Sequence, residues 1–434
     1  MRKERLLAFL FFLTLIADVP TLAYYNDLWT PGRLVEWLVV RLPVKLSPFE
    51  IILIIMLATT RRRGPIAKPM VTAIYVSLAS LFWAAAYGLA RGGLVLPMYT
   101  QMICWIVSMI TAMTVLTVCS TAADLYRINT AILYGAIWRA CIANSFYIMS
   151  HDWDWTRRPA CMTSHEDSAL FVIGLAVLIS RAIEFGSKQY IRQLVIWGPV
   201  IVMAIQVNNR RLAWASLVMA LISIYFLLPT RGRALRTVNR ALKVVIPIVA
   251  IYVTVGWGRS EKIFAPLQSF SSMGAGTVDK STLARDNENV SMITMIQDAP
   301  LLGTGFGHEW IELDSSYTVP LTAFPFYHYS PHDSIMALLT FMGGFGFAGL
   351  WAVVPVSIFL NARTCRNSLR PDERSIAAAG VVQCIAFVNQ AFGDMGGVGV
   401  PHIMVATLFS VGIASAARVS ASSGARPYSS SRAT

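Results

Sequence analysis

The chain has 434 residues, 56% of them hydrophobic and only 14% charged, with a mean hydropathy of +0.57. A soluble domain of this size cannot hide so much apolar surface, and long continuous apolar runs exclude a transmembrane barrel, whose strands alternate. The composition is that of an all-α polytopic membrane protein. A formal net charge of +13 would suggest nucleic acid in a soluble chain, but here it is tested first against insertion topology.

Taken in order, the apolar runs predict about twelve spans. They lie near 6–24, 47–60, 70–90, 98–119, 128–149, 168–183, 192–207, 212–229, 244–257, 333–360, 375–392 and 400–417. The first, within RLLAFLFFLTLIADVPTLAYY, lacks a small-residue cleavage site and reads as a retained helix. The tenth is long, and Gly343, Gly344 and Gly346 are placed to break or kink it. Residues 1–417 therefore read as one membrane domain, with its largest extramembrane loop at about 258–331, and the polar stretch 418–434 reads as a disordered tail. Cys104, Cys119, Cys141 and Cys384 fall in apolar runs, and Cys161 and Cys365 in separate polar loops. No CxxC pair suggests a zinc site.

Placing the N-terminus inside and alternating puts 23 Lys and Arg residues in inside segments and 12 in outside ones, with Arg139 within a span. This satisfies the positive-inside rule, puts both termini in the cytoplasm, and explains most of the charge without nucleic acid. The outside cations are then the informative ones. Arg210 and Arg211 head the eighth span, and Arg285 lies in the large loop with His308, His328 and His332.

Arginine grips phosphate oxygens through a planar fork of donors, although an arginine at a membrane surface also snorkels without any ligand. Met292, Met295 and Ile296 give a helical apolar face that Pro300 ends, and Gly303, Gly305 and Gly307 follow in a tight turn. A nucleotide-binding G-x-G needs a preceding strand; here a helix precedes it, so that reading is rejected. His332 and Asp333 crown the tenth span. The histidine suits proton abstraction from a hydroxyl, against the simpler reading of an interfacial histidine. The aspartate suits a helix cap better than a role in orienting the imidazole. Glu309, Glu312 and Asp314 read as a solvated loop face before a cation or sugar site.

The order of these features resembles the O-antigen ligase and polymerase superfamily of bacterial envelope glycosyltransferases. Arg211 and Trp214 match its first motif. Arg285, Ile296, Asp298, Pro300, Leu301, Leu302, Gly303, Gly305 and Gly307 match its second, and His332, Leu338, Gly343 and Gly346 its third. The likeness covers about residues 205–355. It departs from the family pattern at Asn209, Asn289, His308 and Asp333, where serine, an aromatic, asparagine and asparagine are usual.

The resemblance implies a GT-C-like enzyme of the bacterial inner membrane, working at its periplasmic face without a cofactor. It would move a glycan from undecaprenyl diphosphate to a saccharide acceptor, either a lipid A-core or another repeat unit. On this reading Arg211 and Arg285, with Arg210, neutralise the leaving diphosphate, and His332 activates the acceptor hydroxyl. Trp214, Gly303, Gly305 and Asp333 contribute to substrate binding, and no metal is required. Two other readings compete. A transporter or flippase of lipid-linked saccharides predicts paired discontinuous helices with charges at mid-membrane, where only Arg139 is evident. A metal-dependent membrane glycosyltransferase would need Asp18 or Asp27, which lack a partner pattern.

Overall fold

The computed structural model describes residues 2–17, 30–42, 46–61, 64–149, 163–208, 210–227, 233–259, 264, 267, 280–313, 326–393 and 403–424. These residues are helical, with short turns between elements. The helices are α1 (Lys3–Ile16), α2 (Pro48–Thr59), α3 (Lys68–Ala90), α4 (Val95–Val118), α5 (Ala122–Met149), α6 (His165–Phe185), α7 (Lys188–Asn208) and α8 (Arg211–Leu227). They continue as α9 (Arg233–Gly256), α10 (Lys280–Asp298), α11 (Ser334–Trp351), α12 (Val353–Asn367), α13 (Pro371–Gly393) and α14 (Ile403–Gly424). Eight helical segments among the described residues are long and apolar enough to cross a membrane, with α11 and α12 counted as one. The apolar stretches of α2, α8 and α9 are shorter. The chain is an all-α polytopic membrane protein.

Local signals set the helix ends. Ser47 and Glu50 form a capping box at α2, with Pro48 in its first turn, and Ser164 and Asp167 do the same at α6. Gly186 closes α6 in the left-handed region. The centre of the bundle is close-packed aromatic surface: Trp105 meets Phe387 and Phe409 edge-on, and those two rings stack at 4.0 Å.

Hydrogen bonds sort the helix termini into two ends. At one end Lys3 reaches Thr59 and Thr60, Arg418 reaches Pro65 and Leu116, and Arg374 pairs with Glu184. At the other end Gln101 on α4 bonds the backbone of His308 and Tyr329, and Asn208 at the foot of α7 bonds residues 163, 164 and 168. His332 and the first turns of α8 and α11 lie at this second end.

Several expected boundaries move. Helix α1 stops at Ile16, short of residue 24, four residues before Pro20, and Arg139 from α5 caps the end. Its guanidinium takes the carbonyls of Leu15 and Ala17, groups that an ended helix leaves unpaired, and Asp167 balances its charge at 3.6 Å. Asp167 lies in the first turn of α6, fully buried. Cys365 is not in a loop: it is buried near the end of α12. Helix α9 extends back to Arg233, with its apolar stretch Ile246–Gly256 where the ninth span was expected; α14 runs to Gly424, so the start of the expected tail is helical, with Arg418 buried. Asp18, Asp27, Cys161, Asn209 and Asp314 lie outside the described residues.

The tenth span is two helices with a further break inside the first. Gly343 takes φ +60° and ψ −178° within α11, while Gly344 and Gly346 stay helical. A break frees backbone groups that lipid cannot satisfy. The turn after α10 satisfies them. Gly344 and Phe345 donate N–H to the carbonyls of Pro300 and Leu301 (2.8 and 3.2 Å), and Thr304 and Gly305 donate to those of Thr340 and Phe341 (3.0 and 2.8 Å). The turn is thus spliced into the helix.

This contact predicts opposite outcomes for adjacent glycines. A side chain on Gly343 would overlap the Leu301 backbone and sit at a positive φ, whereas one on Gly344 meets only the Pro300 carbonyl oxygen, at 3.4 Å. Gly343→Ala should lower the thermal midpoint of the full chain, measured by size-exclusion after heating, and Gly344→Ala should leave it near wild type. The strain of a positive φ with an extended ψ alone costs about 1–3 kcal/mol.

Candidate functional site

Helix α10 runs alongside the head of α11, and the splice fixes their register. That register sets Glu288, 1% exposed, against His332. His332 Nδ1 lies 2.8 and 3.1 Å from the two carboxylate oxygens, and the His332 backbone N–H donates to the carboxylate at 3.0 Å. The Tyr327 hydroxyl hydrogen-bonds the same carboxylate. Burial works to raise the Glu288 pKa, but the hydrogen bonds and charge of His332, with that of Tyr327, outweigh it and hold the carboxyl below its ordinary value. An ionised carboxylate accepts only, so Nδ1 carries the proton and Nε2 is left as the basic nitrogen. The imidazole is 30% exposed, open to a molecule arriving from the surface.

Asp333 caps α11: its Oδ1 accepts from the N–H groups of Ile335 and Met336 at 3.0 and 3.1 Å. The site nearby is tied together. Gln101, fully buried on α4, accepts from Gly307 N–H at 2.6 Å and donates to the carbonyls of His308 and Tyr329 at 3.2 and 3.1 Å, binding both stretches that flank the pair. Glu312 faces His328 at 3.4 Å, and the Glu309 side chain hydrogen-bonds the Tyr329 hydroxyl, so both carboxylates have protein partners. Trp310 is buried between Tyr327 and His328.

The other expected residues fall into two groups. Arg285 stands one turn before Glu288 on α10, partly buried. Arg210 and Arg211 stand at the start of α8, at the same end of the bundle; Arg210 is partly buried, Arg211 exposed, and Trp214 half-buried against the core. The Nε atoms of Arg210 and Arg285 are buried without a hydrogen-bond partner among the described residues. The described contacts bring Glu288 to His332. Helix α8 packs instead on α13, through Ser216 with Asn389 and Leu212 with Gly393. Gly303 and Gly305 have packing places: Gly303 lies on the Gly343 backbone and Gly305 on Gly88 of α3, approaches that only a hydrogen permits.

Glu288 was not singled out in the sequence. The available signal was its place on a helix, three residues after Arg285. Gln101 and Asn208 carried no comparable signal in the sequence.

No family model matches this chain, and comparison with curated proteins finds no significant match.

The pair makes a pH prediction. A carboxyl held below its ordinary pKa stabilises the fold fully above that ordinary value, about 4.3, and the contribution fades as pH falls through the lowered value. At pH 7 Glu288→Gln should be less stable than wild type by about 1–3 kcal/mol, the scale of a hydrogen bond to a charged group. The gap should narrow as the solution is taken well below pH 4.3, measured as the difference between thermal midpoints.

Proposed function

We propose that the chain is a membrane glycosyltransferase of the O-antigen ligase or polymerase type. On this reading the His332 end faces the periplasm of a bacterial inner membrane, with twelve spans and both termini cytoplasmic. The observation that carries the reading is the Glu288–His332 pair: an imidazole with its proton fixed on Nδ1 and Nε2 free is built to take a proton from a hydroxyl. The cations fit the other half of such a reaction. Arg285 on α10, with Arg210 and Arg211 at α8, offers guanidinium donors for a lipid diphosphate.

The chemistry is a single displacement. An acceptor sugar hydroxyl gives its proton to His332 Nε2 as its oxygen bonds the anomeric carbon. The bond from that carbon to the diphosphate breaks, and its electron pair leaves with undecaprenyl diphosphate. Glu288 stabilises the imidazolium that forms, and the arginines stabilise the charge on the leaving group. Attack opposite the leaving group inverts the anomeric configuration. Lipid A-core and repeat-unit acceptors share this chemistry. A transporter of lipid-linked saccharides needs no general base, so the pair favours the enzyme.

Transfer from purified lipid-linked donor tests the proposal. His332→Ala should lower turnover by about 10²–10⁴-fold while donor binding persists. His308→Ala and His328→Ala should be milder. Arg285→Lys and Arg211→Lys should each lose about 10²–10³-fold, because a point ammonium does not replace a fork. Near-normal turnover in His332→Ala, or a product that retains the donor's configuration, overturns the mechanism.

The orientation has its own test. Reporter fusions after Gly232 should read cytoplasmic and fusions after Gly276 periplasmic; the reverse pattern would turn the site to the wrong compartment.

A further inference from the structure

The loop between α9 and α11 reads in the sequence as wholly extramembrane, yet the turn after α10 packs at a definite level on α3. Helix α3 is the ruler. From Lys68 to Tyr87 is nineteen residues, about 28 Å at 1.5 Å per residue, close to the ~30 Å hydrocarbon core of a bilayer. At the far end of that length Trp83 stacks on Tyr87, and Arg91 follows, 5.5 Å from the Tyr87 ring and bonded to its hydroxyl. Aromatic rings followed by an outward-reaching arginine mark a membrane–water boundary.

The spliced turn sits at this level. Phe306 N–H donates to the Ala84 carbonyl at 3.2 Å and Gly305 lies on Gly88. Deeper along the antiparallel pair of helices, Ser77 Oγ donates to the Leu350 carbonyl. The break at Gly343 therefore lies level with the Trp83–Tyr87 boundary. Here the chain exposes three large apolar side chains. Leu301 is 58% and Leu302 41% exposed, and Phe345, whose N–H donates to the Leu301 carbonyl, is 69% exposed. Asp298, also exposed, precedes them at the end of α10.

We infer that Leu301, Leu302 and Phe345 form a membrane anchor, inserted at the edge of the hydrocarbon in the leaflet facing the His332 end and covered by its acyl chains. The polar end of α10 stays above, among headgroups. The backbone of the turn is satisfied by α11 and α3, which allows it to lie at that depth. The anchor would seat α10, and with it Glu288 and Arg285, on the membrane surface. It does not depend on the transfer reaction.

The full chain should be reconstituted in phosphatidylethanolamine–phosphatidylglycerol vesicles containing a phospholipid with a diazirine on its acyl chain near the glycerol. After irradiation, adducts are mapped by mass spectrometry. The expected result is acyl-chain adducts on Leu301, Leu302 and Phe345 and only background at Asp286, on the exposed face of upper α10. A variant with Leu301→Ser and Leu302→Ser should lose the adducts at those two positions and keep those on exposed Phe82 of α3. Adducts at Leu301, Leu302 and Phe345 no higher than at Asp286, with Phe82 labelled, would overturn the anchor.

Discussion

The structure at the His332 end depends on four backbone hydrogen bonds. Helix α11 breaks at Gly343, and residues 300–305 supply the donors and acceptors that the break would otherwise leave bare. In a bilayer such groups cost several kcal/mol each when unpaired. The break and the turn therefore require each other, and neither is stable without its partner. Helix α10 is locked in register beside α11 as a consequence, and that register brings Glu288 to His332. A side-chain contact between distant residues is set by main-chain geometry several turns away.

The same splice fixes the height of the Glu288–His332 pair above the break. Ser334 to Gly343 is nine helical residues, a height of about 14 Å. On the inferred anchor the break lies at the hydrocarbon edge, and His332 with Glu288 lies on the water side of it, clear of the acyl chains. The Glu288 carboxylate is buried while the imidazole it holds is open to solvent. A buried carboxylate held ionised by an imidazole and a tyrosine stabilises this end of the bundle at neutral pH, and it is well suited to a base that must gain a proton during a reaction.

Much of this was legible in the sequence, and the remainder has physical reasons for being hidden. The arginines and histidines stood out because the positive-inside rule and a polar group beside an apolar span are local signals. Asp333 as a cap was readable from its place before Ser334, and a kink among Gly343, Gly344 and Gly346 was readable from glycine alone. Which glycine breaks was not: Gly343 is singled out by the Leu301 backbone, a contact from another part of the chain. The GTGFG turn suggested tight geometry but not its purpose, which is close approach to Gly343 and Gly88. Glu288 was missed because a glutamate in a polar helix looks solvated until its partner, 44 residues away, is known. The guanidinium that caps the end of α1 was hidden for the same reason, since Arg139 lies far off on α5. The likeness to envelope glycosyltransferases rests on motif residues between about 205 and 355, and the pairing of Glu288 with His332 adds to it a reason for chemistry.

The most direct measurement is a double-mutant cycle of Glu288→Gln and His332→Ala on kcat/KM for glycan transfer. If the two side chains act as one base, the double variant should be no slower than His332→Ala alone, because the carboxylate has nothing left to orient. Losses that multiply, with the double variant slower than either single change by the full product, would mean that Glu288 and His332 act independently and would contradict the account.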